Sequence, residues 1–204
     1  MKIIIGILIS VLLVNCSADI YKNVNINELQ YPSELKVIQR VDWGWTNLEY
    51  VIDEHEIEYI TIHHGGVDFP EDRNVIEYLR GLQSWSRNEK KWIDIPYHFM
   101  IDFQGNIYEA RPINYPGDTN TNYNPSGHAL VNVIGNYENQ VINEKQLDAL
   151  VELCSYLSNE FSVDPDLIKG HKDYTDGTVC PGKDLYKYLE DKSIVNRVKS
   201  KVTR

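Results

Sequence analysis

The residues with the clearest chemical potential lie near the C-terminal end, in the run Gly170-His171-Lys172-Asp173-Tyr174-Thr175-Asp176-Gly177-Thr178-Val179-Cys180-Pro181-Gly182. A histidine and a cysteine flank the turn formers Asp173, Asp176 and Gly177, so the loop can fold back and aim imidazole and sulfur at one point. Both are good zinc ligands, because zinc favours nitrogen and sulfur in a tetrahedral shell. Two ligands do not make a site. A third donor stands about a hundred residues upstream, in His63-His64 at the end of an apolar run. Three protein ligands leave one position open, which is the mark of a catalytic zinc. Zinc lowers the pKa of a bound water from 15.7 toward ~7 and polarises a carbonyl, so amide hydrolysis is the chemistry that follows. A thiolate ligand weakens zinc as a Lewis acid, and a further donor to a tetrahedral oxyanion becomes useful. Tyr97 is the candidate, with a packed core tyrosine as the alternative. Thr178, two residues before Cys180, either points its hydroxyl into the same pocket or caps the turn.

These residues need elements to hold them. Residues 35–40 alternate as a short strand, and 57–64 form a second strand rich in β-branched and aromatic residues that ends at Gly65-Gly66. On a strand, His63 and His64 point to opposite faces, so one reaches the metal and the other packs or supports. Residues 71–88 suit a helix with Val75, Ile76, Leu79, Leu82 and Trp85 near one face. Residues 96–102 and 107–111 read as a hairpin about the turn 103–106, and 114–127 as a polar loop that is either a groove rim or idle. His128 to Ile134 is nearly continuous in apolar residues, as expected of a central strand. Asn143 to Gln146 has a capping-box pattern, followed by Leu147, Leu150, Val151, Cys154, Leu157 and Phe161 at helical spacing. Cys154 on that face reads as a small buried residue; the alternative is a disulfide to Cys180. Pro181-Gly182 opens a last helix, the domain is expected to span 36–190, and 191–204 reads as a C-terminal tail whose basic end, 197–204, is solvated. The expected class is α/β, a mixed central sheet flanked by about three main helices in one domain.

The chain has 204 residues, long enough for one well-buried core, and a formal charge of −10 that argues against a nucleic-acid partner. Three cysteines, an odd count, do not make a paired framework. Lys2 and the apolar run after it match a secretory signal over 1–18, too short for a comfortable membrane span. Leu13-Val14-Asn15-Cys16 resembles a lipobox with Cys16 as the lipidated residue, and Cys16-Ser17-Ala18 also fits cleavage after Ala18. Either route exports the protein, to the cell envelope as a membrane-anchored lipoprotein or as a secreted chain. Residues 19–35 read as a tether or a wrapped arm.

The chain resembles the peptidoglycan recognition protein and phage-lysozyme-like family of zinc N-acetylmuramoyl-L-alanine amidases. The matching stretches are Val37 to Gly44, Ile62-His63-His64-Gly65, Trp92 to Phe99, Gly105 to Arg111, Ile134-Gly135-Asn136-Tyr137, and Gly170-His171 through Cys180-Pro181-Gly182, in the family's order over about residues 36–190. The resemblance implies a mixed sheet with a zinc groove and cleavage of the amide between N-acetylmuramic acid and L-alanine in peptidoglycan. It implies His63, His171 and Cys180 as the Zn2+ ligands, with Tyr97 and Thr178 as catalytic residues. Substrate contacts are expected at His64, Arg111 and Thr119, although Thr119 falls where members often carry a histidine. With Cys180 present the chain resembles the catalytic branch of the family; the alternative is a non-catalytic peptidoglycan-binding module. The expected state is a monomer.

Overall fold

The computed structural model describes residues 24–203. The leader over 1–18, with Cys16, lies outside them.

The sheet has six strands: β1 (Val37–Ile38), β2 (Tyr59–His64), β3 (Phe99–Ile101), β4 (Ile107–Glu109), β5 (His128–Val133) and β6 (Ile168–Gly170), in the order β1-β4-β3-β5-β2-β6. Among the described residues only the β3–β4 pair is antiparallel, so the sheet is mixed, as expected. The longest pairing runs from Tyr59↔His128 to His64↔Val133. Its register sorts the side chains. Ile60, Ile62, Ala129, Val131 and Val133 face one core, while Thr61, His63, Leu130 and Asn132 alternate to the other face. Both central strands are buried on both faces, which is why β5 reads as nearly unbroken apolar sequence.

Two layers cover the sheet. On one face, α3 (Glu144–Glu160), α4 (Lys183–Glu190) and α5 (Ser193–Lys199) bury Leu150, Val151, Cys154, Leu185 and Ile194. On the other, α2 (Val75–Asn88) and the one-turn α1 (Arg40–Trp43) enclose Trp43, Phe69, Leu79, Ile95 and Met100. Asn74 starts α2 by accepting the Glu77 N–H at 3.1 Å, so the helix begins later than the apolar spacing alone predicts. The capping box of α3 forms as expected, with Asn143 and Gln146 bonding reciprocally.

Two expectations are corrected. The C-terminal residues are not a solvated tail. Residues 193–199 form α5, with Ile194, Val195 and Val198 buried against α3 and α4, so the helix count exceeds three. The first strand also shrinks to two residues, because α1 starts at Arg40. The arm preceding β1 is wrapped where it is described: Leu29 and Leu35 are buried, and the Tyr31 hydroxyl donates to Glu109 at 2.5 Å. Among the described residues no helix is long and apolar enough to cross a membrane.

Candidate metal centre

His63, His171 and Cys180 meet at the C-terminal ends of the parallel strands, where open α/β sheets place their ligand crevices. β2 holds His63. β6 pairs Ile62 with Gly170, which sets His171, the next residue, beside His63 with ring centroids 4.6 Å apart. The Lys172 N–H donates to the Cys180 carbonyl at 2.8 Å, folding the loop after His171 back on itself. Gly170 is required there: a Cβ would stand 2.8 Å from Pro181 Cδ. One donor atom from each of the three residues lies within 4.8 Å of the others, and all three side chains are buried. His63 Nδ1 is 3.6 Å from Cys180 Sγ. Cys154 and Cys180 are free, so the alternative disulfide is absent.

The electrostatics suit a cation. Burial, and then the neighbouring imidazole of His171, holds His63 well below the ordinary histidine range, and burial brings His171 down to about 4. Both rings are therefore neutral near pH 7, the form that donates a lone pair to a metal. Burial pushes the Cys180 thiol up to about 12, opposed by the His64 backbone N–H that donates to its sulfur at 3.3 Å. Two neutral imidazoles and a sulfur fit zinc and do not resemble an oxygen-rich calcium or magnesium cage.

The trio forms the floor of an open cleft of about 400 Å³. Tyr78, Leu82 and Trp85 of α2, with Trp92, make an apolar wall, and Asp118, Thr119 and Thr121 make a polar one. Trp85, expected on the packed face of its helix, is 44% exposed at the rim. Tyr97 also lines the cleft, its ring centroid 5.2 Å from that of His63. Burial, reinforced by Cys180, lifts its phenol well above the ordinary value, so the hydroxyl keeps its proton. Thr178 lines the cleft and also caps the turn, accepting the Cys180 N–H at 3.1 Å. Thr119 sits on the polar wall, 3.4 Å from His171 Nε2. His64 reaches the cleft from the opposite face of β2, its Nδ1 accepting the Tyr137 N–H at 3.1 Å.

Arg111, expected at the substrate, is placed elsewhere. It is 1% exposed, and its guanidinium is bound to the carbonyls of Asp94, Ile95 and Pro116 and to the Asp118 carboxylate. It is a clasp beneath the loop that forms the polar wall. Two residues that sequence reasoning missed face the imidazoles from that loop. The Thr121 hydroxyl is 2.8 Å from His171 Nε2, and the Tyr123 hydroxyl 3.4 Å from His63 Nε2. Their only sequence signal is a spacing of two in a polar loop, which marks no chemistry by itself.

Comparison with known proteins agrees with this geometry. Residues 53–183 match the family described as N-acetylmuramoyl-L-alanine amidase. Peptidoglycan-recognition protein SD of Drosophila simulans is 26% identical over 171 residues, covering 82% of this chain and 91% of the relative. Peptidoglycan recognition protein 1 of Mus musculus is 30% identical over 139 residues, covering 67% and 75%. The crystal structure of the Drosophila recognition protein SD superimposes with a TM-score of 0.69 at 26% identity, over 77% of this chain and 94% of that one. The chain belongs to the peptidoglycan recognition protein and N-acetylmuramoyl-L-alanine amidase family.

Proposed function

We propose that this protein is an exported zinc amidase that hydrolyses the amide between the lactyl group of N-acetylmuramic acid and L-alanine in peptidoglycan. The observation that carries the reading is the convergence of His63, His171 and Cys180 at the floor of an open cleft. Zinc held by these three would supply a Lewis acid and a water acidic enough to be deprotonated near neutral pH.

The protein groups around it have separate tasks. His63 and His171 arrive neutral and need lose no proton to ligate. The His64 backbone N–H holds the Cys180 sulfur in place and favours its thiolate. Tyr97 keeps its phenolic proton and can donate it in a hydrogen bond to the oxyanion that develops as the amide carbon becomes tetrahedral. Thr178, whose oxygen already accepts from the Cys180 N–H, has its own O–H free to donate into the cleft. Thr119 and His64, which line the cleft, are the proposed contacts to the muramyl peptide. The export leader, with lipidation at Cys16 or cleavage after Ala18, and the monomeric state belong to the same proposal and rest on the sequence.

A second reading, peptidoglycan recognition without hydrolysis, is favoured by the names of the relatives. Mass spectrometry of purified sacculi after incubation separates the two. The amidase releases intact stem peptides beginning at L-alanine, and loses activity on chelation. The Cys180→Ala variant should fall by more than ~100-fold, since even the outer partners of metal ligands are worth ~10–100-fold. Cosedimentation with sacculi and no released peptide would establish the recognition module instead.

A further inference from the structure

The cleft's polar wall does more than border the substrate. From 121 to 126 the chain alternates between half-buried and exposed residues, so Thr121 and Tyr123 both turn inward while Asn122 and Asn124 face solvent. Thr121 Oγ1 lies 2.8 Å from His171 Nε2, and the Tyr123 hydroxyl 3.4 Å from His63 Nε2. His63 turns its other nitrogen, Nδ1, toward Cys180 Sγ. One loop thus holds the outward nitrogen of both imidazoles in the trio.

The loop is itself braced. The Thr121 N–H donates to Thr119 Oγ1 at 3.1 Å. The Tyr123 ring stacks on Tyr174 at 5.5 Å and meets the edge of His128. His55 ties both ends, its Nε2 3.0 Å from the Ile113 carbonyl and its Nδ1 accepting the Gly127 N–H at 2.7 Å.

We propose that Thr121 and Tyr123 are positioning residues for the metal centre, which set the tautomer and orientation of His171 and His63. A hydroxyl oxygen opposite Nε2 accepts the Nε2–H, and a ring protonated there presents Nδ1 with its lone pair to the cation. Neither residue touches the reacting bond. The same loop supplies Thr119 and Asp118 to the cleft wall, so ligand seated against that wall bears on the groups that orient the imidazoles. This inference rests on the zinc reading above.

The test is a zinc titration of the purified, metal-depleted protein in competition with a chromophoric chelator. The comparison uses wild type, Thr121→Val, Tyr123→Phe, the double variant and Thr121→Ser. The expected result is a zinc Kd weakened by about 10–100-fold in the double variant, with Thr121→Ser close to wild type. The melting temperature of the metal-free forms should stay nearly constant, and the cobalt-substituted spectrum of the double variant should shift. A double variant within about twofold of the wild-type Kd overturns the proposal and leaves the zinc reading standing. A wild type that takes up no zinc overturns both. A weakened Kd that Thr121→Ser shares assigns the effect to loop packing and also overturns it.

Discussion

Of the three proposed ligands, Cys180 is the one whose protonation would change most when a cation arrives. Its thiol, raised to about 12, still carries its proton at pH 7, whereas His63 and His171 are already neutral imidazoles. Zinc binding should therefore release about one proton per ion, and its log Kd should fall by about one unit per pH unit between pH 6 and 8. Calorimetry in buffers of different ionisation enthalpy measures that number. A release near zero would mean that the sulfur does not ligate as thiolate. At this scale much was readable in advance. His171 and Cys180 declare themselves by residue type across a turn-rich loop. Tyr97 was one tyrosine among 14. Its role depends on neighbours that only the fold supplies.

Among the elements, loop 114–127 carries the most consequence for the site, and beyond Thr119 its sequence left open whether it was a groove rim or idle. Gly117 shows how tightly it is seated: a Cβ there would lie 2.3 Å from Leu130 Cδ1 and 2.6 Å from the Pro96 carbonyl oxygen. Gly117→Ala should destabilise the protein by about 1–3 kcal/mol through overpacking, and should disturb the cleft wall. Denaturant unfolding with a zinc titration on the same sample checks both effects; an unchanged midpoint would show that the loop can lift off at little cost. Helix α5 is the other element the sequence understated. Its charged residues suggested solvent, but Ile194 is wholly buried between α3 and α4. Ile194→Ala should cost about 2–5 kcal/mol. A loss below ~0.5 kcal/mol by urea unfolding would return the segment to the status of a tail. Seven residues are too few to show convincing helical periodicity, which is why the expectation failed there.

Across the whole molecule, the six histidines share one property: each is held below the ordinary value of 6.5, with burial the leading cause. His98 is clamped between the Tyr115 carbonyl and the Leu130 N–H, and His128 bonds Thr61 and falls to about 4. A depressed folded pKa contributes stability that is complete above the unfolded value and is lost as pH falls toward the folded one. The metal-free protein should therefore lose melting temperature steadily from about pH 6.5 to 4.5, taking up protons as it unfolds. The negative charge of the chain shrinks over the same window, which relieves repulsion, so a loss there reports the buried imidazoles. A flat melting curve between these pH values would contradict the account.

Sequence alone determined the sheet's central strands, the capping box of α3, the candidate trio of His63, His171 and Cys180, and the family. Each depends on residue type and short spacing: β-branched runs, an Asn-x-x-Gln box, a His and a Cys across a tight loop. Only the tertiary structure decided that Arg111 clasps a loop from beneath, that α5 closes the core, and that Thr121 and Tyr123 face the imidazoles. Those assignments depend on which surfaces meet across the sheet, and long-range contact leaves no local period in the chain to read.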